Sequence, residues 1–147
     1  MKLSTKGRYT TKAIVDLALN CGDGPAMLKE IAERQGISQR YLGQLIIPLV
    51  KAGLVRGIRG RGGGLILARP PGEITLSEII AVSEGRISFE ECVDKPELCE
   101  KSGSCVIRDV WSETIEAVDR VLSATTLKDL IDRQSGKETA CPRQSQK

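Results

Sequence analysis

The stretch from Leu28 to Ala68 constrains this chain most, because its apolar periodicity switches there from helical to strand-like. Leu28, Ile31 and Ala32 predict a short helix ended by Gly36. Ser38 then caps a second helix, in which Tyr41, Leu42, Leu45, Ile46, Leu49 and Val50 recur at helical spacing until Gly53. Pro48 lies inside that pattern, removes one backbone donor, and is expected to kink the helix or tighten its last turns. Two β-rich runs follow, residues 54–59 and 65–68, and the intervening Gly60-Arg61-Gly62-Gly63-Gly64 predicts a hairpin with a flexible tip.

The flanking sequence adds helices and one gap. Ser4 or Thr5 caps a first helix to about Asn20, with Ile14, Leu17 and Ala18 on one face, and Gly22-Asp23-Gly24-Pro25 makes a turn. Thr75 and Glu78 form a capping box for a helix through about Glu84, with Leu76, Ile79, Ile80 and Ala81 as its apolar face and Gly85 as its stop. From Arg86 to Ser104 no period holds, which predicts a loop. A long helix starts near Val106, where Ile107, Trp111, Thr114, Val118, Val121 and Thr125 alternate steps of four and three, as a helix-helix seam does. Thr126 caps a short last helix through Asp132, and the polar residues beyond Ser135 predict a disordered tail.

Helix, short helix, tight turn, third helix and hairpin are the order of a winged helix-turn-helix. At 147 residues the chain has room for one compact unit with an appended element. The expected fold is therefore mainly α with a small β-hairpin. A winged helix-turn-helix spans 1–85, a cysteine-containing sensor loop 86–105, a dimerisation helix and short last helix 106–134, and the tail 135–147.

Charge divides the chain in the same way. Residues 1–72 carry 12 Lys/Arg against 4 Asp/Glu, whereas residues 73–147 carry 10 against 15. A basic half suits a polyanion, because each neutralised phosphate releases condensed counterions. Aromatics make up only 3% of the chain, too few for the stacking platform of a single-strand binder. Histidine is absent, and with it the usual general base. With no P-loop glycine spacing and no C-x-x-C pair either, no catalytic constellation is present and no enzymatic activity is expected. No apolar run approaches the roughly 20 residues that cross a bilayer, and the opening residues lack the apolar stretch of a signal peptide, so a cytoplasmic location is expected.

The third helix is expected to enter the major groove of double-stranded DNA, with Ser38, Gln39, Arg40, Tyr41 and Gln44 at its N-terminal turn near base edges or phosphates. Arg59, Arg61, Gly62 and Gly63 form a hairpin tip able to enter a narrow minor groove. Lys2, Ser4, Lys6, Arg8, Lys51 and Arg56 complete the contacts, chiefly to phosphates. Three consecutive glycines flanked by Arg59, Arg61 and Arg69 exceed what a turn alone requires.

Five cysteines fall at 21, 92, 99, 105 and 141. Cys21 is read as packing and Cys141 as incidental. Cys92, Cys99 and Cys105, with spacing C-x6-C-x5-C, match neither a zinc knuckle nor a ferredoxin run. Loops of this length let three thiolates converge, and soft thiolates select iron-sulfur, zinc or copper(I). A thiol-disulfide switch and three ordinary reduced thiols stay open beside these.

Residues 1–9 (MKLSTKGRY), 37–45 (ISQRYLGQL) and 53–64 (GLVRGIRGRGGG) resemble the winged-helix transcription regulator family that includes IscR, NsrR and CymR. The resemblance spans residues 1–133. It implies a homodimer, joined by the long C-terminal helix, that binds a pseudo-palindromic promoter site as a repressor. It also implies that Cys92, Cys99 and Cys105 hold an iron-sulfur cluster, 2Fe-2S in preference to 4Fe-4S, that modulates promoter binding. Three positions depart from the pattern. Gly43 stands where IscR and CymR carry glutamate, and Arg108 and Arg8 stand where IscR and NsrR place their fourth ligand. Asp94, Glu97, Glu100, Asp109, an exogenous thiol or water, or a residue of the second copy could complete the site. CymR-like members lack these cysteines and answer to a cysteine-biosynthesis enzyme; residues 123–130 resemble their tail, so that partner is the alternative.

Overall fold

The computed structural model describes residues 2–20 and 24–140; Cys21, Cys141 and part of the predicted 22–25 turn lie outside them. The order is α1 (Thr5–Leu19), α2 (Leu28–Gln35), α3 (Gln39–Lys51), β1 (Val55–Ile58), β2 (Gly64–Leu67), α4 (Leu76–Glu84), α5 (Glu91–Asp94), α6 (Val106–Ala124) and α7 (Leu127–Ala140). The mainly helical fold with one antiparallel hairpin agrees with the sequence expectation, and Ser4, Ser38 and Thr75 cap α1, α3 and α4.

Three local expectations need correction. The 86–104 gap is not a plain loop: it holds α5 and single turns at Pro96–Leu98 and Ser102–Ser104, each too short to show a period. The last helix does not stop at Asp132, and residues 135–140, read as tail, continue it to Ala140. Val50, counted in the apolar face of α3, is exposed, as is Ile47. Pro48 does not end α3, which runs on to Lys51.

One core holds the head together. Ile14 and Leu17 of α1, Ile31 of α2, Leu42 and Leu49 of α3, Leu54, Ile74 and Ile79 are all buried in a single cluster. Each such side chain contributes about 1.5–3 kcal/mol by leaving water. The C-terminal helix returns to this cluster. Leu127 is fully buried in it, with Leu130 and Ile131 packed alongside. Two hydrogen bonds fix that return, from Leu76 N–H to the Thr125 carbonyl at 2.9 Å and from Leu127 N–H to the Ile74 carbonyl at 2.9 Å.

Polar locks set the angles between helices. Asp16, on the inner side of α1, accepts from Arg34 Nε at 3.1 and 3.0 Å, from the second Arg34 nitrogen at 2.6 Å, and from Gln35 Nε2 at 2.9 Å. That hydrogen bond to Asp16 raises the Arg34 pKa further and ties α2 to α1. Glu78 bonds the Thr75 N–H at 3.0 Å and Arg69 at 2.6 Å. The Thr75 backbone bond first, and then Arg69, hold the Glu78 carboxyl below its ordinary range. The stability this lends is present at neutral pH and fades as acid protonates the carboxylate.

Candidate nucleic-acid interface and cysteine segment

Ser38 sets the start of α3: its hydroxyl accepts from Tyr41 N–H at 3.1 Å, satisfying a donor that the helix leaves open. The face carrying Leu42, Leu45, Ile46 and Leu49 is buried, so Gln39, Arg40 and Gln44 are left exposed on the other side. Tyr41 is half-buried and meets Tyr9 of α1 edge-on, with ring centroids 6.3 Å apart at 84°. Tyr9 in turn lies under two cations, Arg8 at 5.2 Å and Lys12 at 5.7 Å from its ring centroid. Tyr9 and Lys12 were missed in the sequence. The signal was there, since Lys12 lies one helical turn from Tyr9 and extends the basic series of Lys2, Lys6 and Arg8.

The hairpin pairs Val55 with Leu67 and Ile58 with Gly64, leaving residues 59–63 as its tip. It is tied to the head by reciprocal hydrogen bonds between Ala26 and Leu65, at 2.9 and 2.8 Å. Its glycines correct one inference. Gly62 has φ 76°. A Cβ at Gly63 would lie 2.8 Å from the Gly60 carbonyl oxygen, and one at Gly64 would lie 2.6 Å from that of Ala26. The turn therefore uses all three glycines, and their number says nothing further about a ligand. Gly63→Ala is expected to destabilise the protein by about 1–3 kcal/mol, read as a lowered midpoint in urea denaturation; an unchanged midpoint would show that the tip relaxes freely.

What does point to a ligand is how the cations are partnered. Lys2, Lys6, Arg8, Lys12, Arg40, Lys51, Arg56, Arg59 and Arg61 are all exposed, and among the described residues none pairs with a carboxylate. Lys29, Arg34, Arg69, Arg86 and Lys128 are each paired, whereas Lys95, Lys101 and Arg120 in the C-terminal half are exposed and, among the described residues, unpaired as well, so it is the gathering of the nine on neighbouring elements that counts. Arg69, read with the hairpin arginines, is thus occupied by Glu78. Ser4 is occupied too, since its hydroxyl accepts from Gly7 N–H at 3.0 Å and donates to Glu84.

The cysteine segment lies against the long helix. Cys92 sits in α5, Cys99 follows the Pro96–Leu98 turn, and Cys105 precedes α6; all three are half-buried free thiols. Arg108 Nε donates to the Cys92 carbonyl at 3.0 Å, Arg86 pairs with Asp94 at 3.2 Å, and Phe89 stacks on Trp111 at 5.2 Å. The fold brings the cysteines into one segment without gathering them at a point. Among the described residues, no three Cys, Asp, Glu or His side chains form a group that could hold a metal ion.

Residues 3–133 match the family model described as "Rrf2: Iron-dependent Transcriptional regulator". The chain belongs to the Rrf2 family. Its relatives include CymR of Bacillus subtilis, 42% identical over 95% of this chain and 96% of CymR. The solved structure of that global cysteine regulator superposes with a TM-score of 0.77, over 90% of this chain and 98% of CymR. IscR of Xenorhabdus nematophila is 37% identical over 100% of this chain and 89% of IscR. The structure of T. potens IscR superposes with a TM-score of 0.78 at 41% identity, covering 94% of this chain and 91% of that one. This Rrf2 protein is thus a winged-helix transcription regulator and not an enzyme. No helix among its described residues is long and apolar enough to cross a membrane.

Proposed function

We propose that this Rrf2 regulator acts as a homodimer that grips duplex DNA through the N-terminal arm, α3 and hairpin of each copy, and that its cysteine segment sets the strength of that grip. The observation that carries the reading is the gathering of nine exposed cations without carboxylate partners on those elements, in a half of the chain with 12 Lys/Arg against 4 Asp/Glu. An unpaired cation gives up no ion pair on meeting a phosphate, whereas a paired one must first give up its partner. Gln39, Arg40 and Gln44 would probe the major groove, Arg59 and Arg61 the minor groove, and Lys2, Lys6, Arg8, Lys12, Lys51 and Arg56 the backbone. Bound across a promoter, such a dimer represses by occupying the site. This reading places the protein with the chromosome in the cytoplasm.

The chemistry of the donor set fits a thiophilic centre: three free thiols, no histidine, and enough chain between them to converge. Cys92, Cys99 and Cys105 would hold an iron-sulfur cluster of 2Fe-2S type, which when bound supplies sensitivity to iron and oxidation. The segment has to close for that, because its thiols are not gathered beforehand. Closure would act on the contacts that Arg108 makes with the Cys92 carbonyl and Arg86 with Asp94. Protein purified without oxygen is expected to carry iron and acid-labile sulfide with visible absorbance, lost on Cys92→Ala, Cys99→Ala or Cys105→Ala.

The ungathered thiols and the 42% identity to CymR favour a second reading: a DNA-binding regulator of sulfur metabolism controlled by a protein partner or by thiol oxidation. Colourless protein whose duplex affinity responds to a cysteine-biosynthesis enzyme or to a mild oxidant decides for it.

A further inference from the structure

Glu84 is the last residue of α4, yet its carboxylate is engaged at the start of the chain. Oε1 accepts the Ser4 backbone N–H at 3.2 Å and the Ser4 hydroxyl as well. That hydroxyl caps α1, so the Glu84 carboxylate lies at the positive end of the α1 dipole. Gly7 makes room for it: a Cβ there would lie 2.7 Å from Glu84 Cδ. Two residues after Glu84, Arg86 pairs with Asp94, which closes the α5 turn containing Cys92. Glu84 and Arg86 also share the walls of an open cleft of about 280 Å³ with Lys2, Leu3 and Val118.

We propose that Glu84 is a positioning residue for duplex binding: it fixes the start of α1, with Lys2 just before the helix and Lys6 and Arg8 in its first turns, and through Gly85 and Arg86 ties that end to the cysteine segment. This rests on the DNA-binding reading above. A helix start held in place presents its cations already ordered, whereas residues 2–4 set free, with a frayed first turn of α1, lose conformational entropy when they meet the phosphates. The sign of the effect is diagnostic. Removing a carboxylate beside a DNA-binding surface should, by charge alone, tighten binding, because one repulsion with phosphate disappears. A positioning role weakens it.

The test uses the full-length, reduced, metal-free protein and a mixed-sequence duplex of about 30 base pairs, followed by fluorescence anisotropy across a salt series. Glu84→Ala is expected to lose roughly tenfold in affinity, with the slope of log K against log salt shallower by about 2, as two phosphate contacts are given up. Gly7→Ala, which evicts the carboxylate from the other side, reproduces that loss. Glu84→Gln keeps an acceptor for Ser4 and restores affinity to within about threefold of the parent. If the tie through Gly85 and Arg86 exists, adding duplex also changes the exposure of Cys92 and so the rate at which iodoacetamide alkylates it, followed peptide by peptide, in the parent protein but not in Glu84→Ala. Equal or tighter binding by Glu84→Ala overturns the positioning role, and a Cys92 rate indifferent to duplex in the parent overturns the tie. A parent protein that fails to bind duplex at all is a separate result, which removes the DNA-binding reading itself.

Discussion

Replacing Arg59 and Arg61 together by alanine is expected to cost about thirtyfold or more in affinity for a promoter duplex near physiological salt, taking the lower end of about 1–3 kcal/mol for each contact. Both side chains are exposed on the hairpin tip and neither has a carboxylate partner among the described residues. Truncation therefore removes contacts to DNA without leaving a buried charge behind, so folding stability should hold while binding falls. The salt series separates two ways of losing affinity. If the arginines touch only phosphates, the slope of log K against log salt drops by about 0.9 for each and all sequences weaken alike. If they lie in a narrow minor groove, A·T-rich sites lose more than G·C-rich ones. Unchanged affinity across every salt concentration would remove the hairpin from the interface.

Much of the head was legible because its signals are local. The Thr75–Glu78 capping box, the Ser4 and Ser38 caps and the Leu42, Leu45, Ile46 and Leu49 face of α3 follow from residues within a turn of each other, and the structure forms them. The basic excess of residues 1–72, from which the proposed interface is drawn, was legible from charge alone. What escaped depends on contacts distant in sequence. Lys12 gains meaning only once Tyr9 is seen to meet Tyr41, and Ser4 only once Glu84 is seen to reach it. The burial of Leu127 in the head core was likewise invisible, since its own short helix has no pattern that says where it docks. The glycine run misled for the opposite reason: a demand of the local turn looked like a demand of the ligand. In the cysteine segment, composition identified the thiols, but single-turn helices carry no period from which their mutual distances could be read.

The seam of α6 carries the other large effect. None of its 19 residues is buried within one copy, although a helix this long is held mainly by packing of an apolar face. The sequence proposed Ile107, Trp111, Thr114, Val118, Val121 and Thr125 as the row facing a second copy. The structure uses part of that row internally. Trp111 stacks on Phe89, Val118 lines the cleft beside Leu3, and Thr125 is buried with its hydroxyl on the Val121 carbonyl at 2.8 Å. Ile107 and Val121 stay exposed, joined by Val106 at 79% and Val110 at 49% exposure. This second face is the one that a copy of the same helix would cover, because an isologous contact needs only one self-complementary stripe. Val110→Glu with Val121→Glu puts four like charges into such a contact and is expected to halve the mass seen by light scattering. Separated heads then lose the effective concentration that joins two half-sites, about a hundredfold or more in affinity for a palindromic duplex. Binding of a single half-site should barely change, since the arm, α3 and hairpin are untouched. A parent protein that is already monomeric at micromolar concentration, or a double variant that keeps its mass, would assign the α6 face to something other than a second copy.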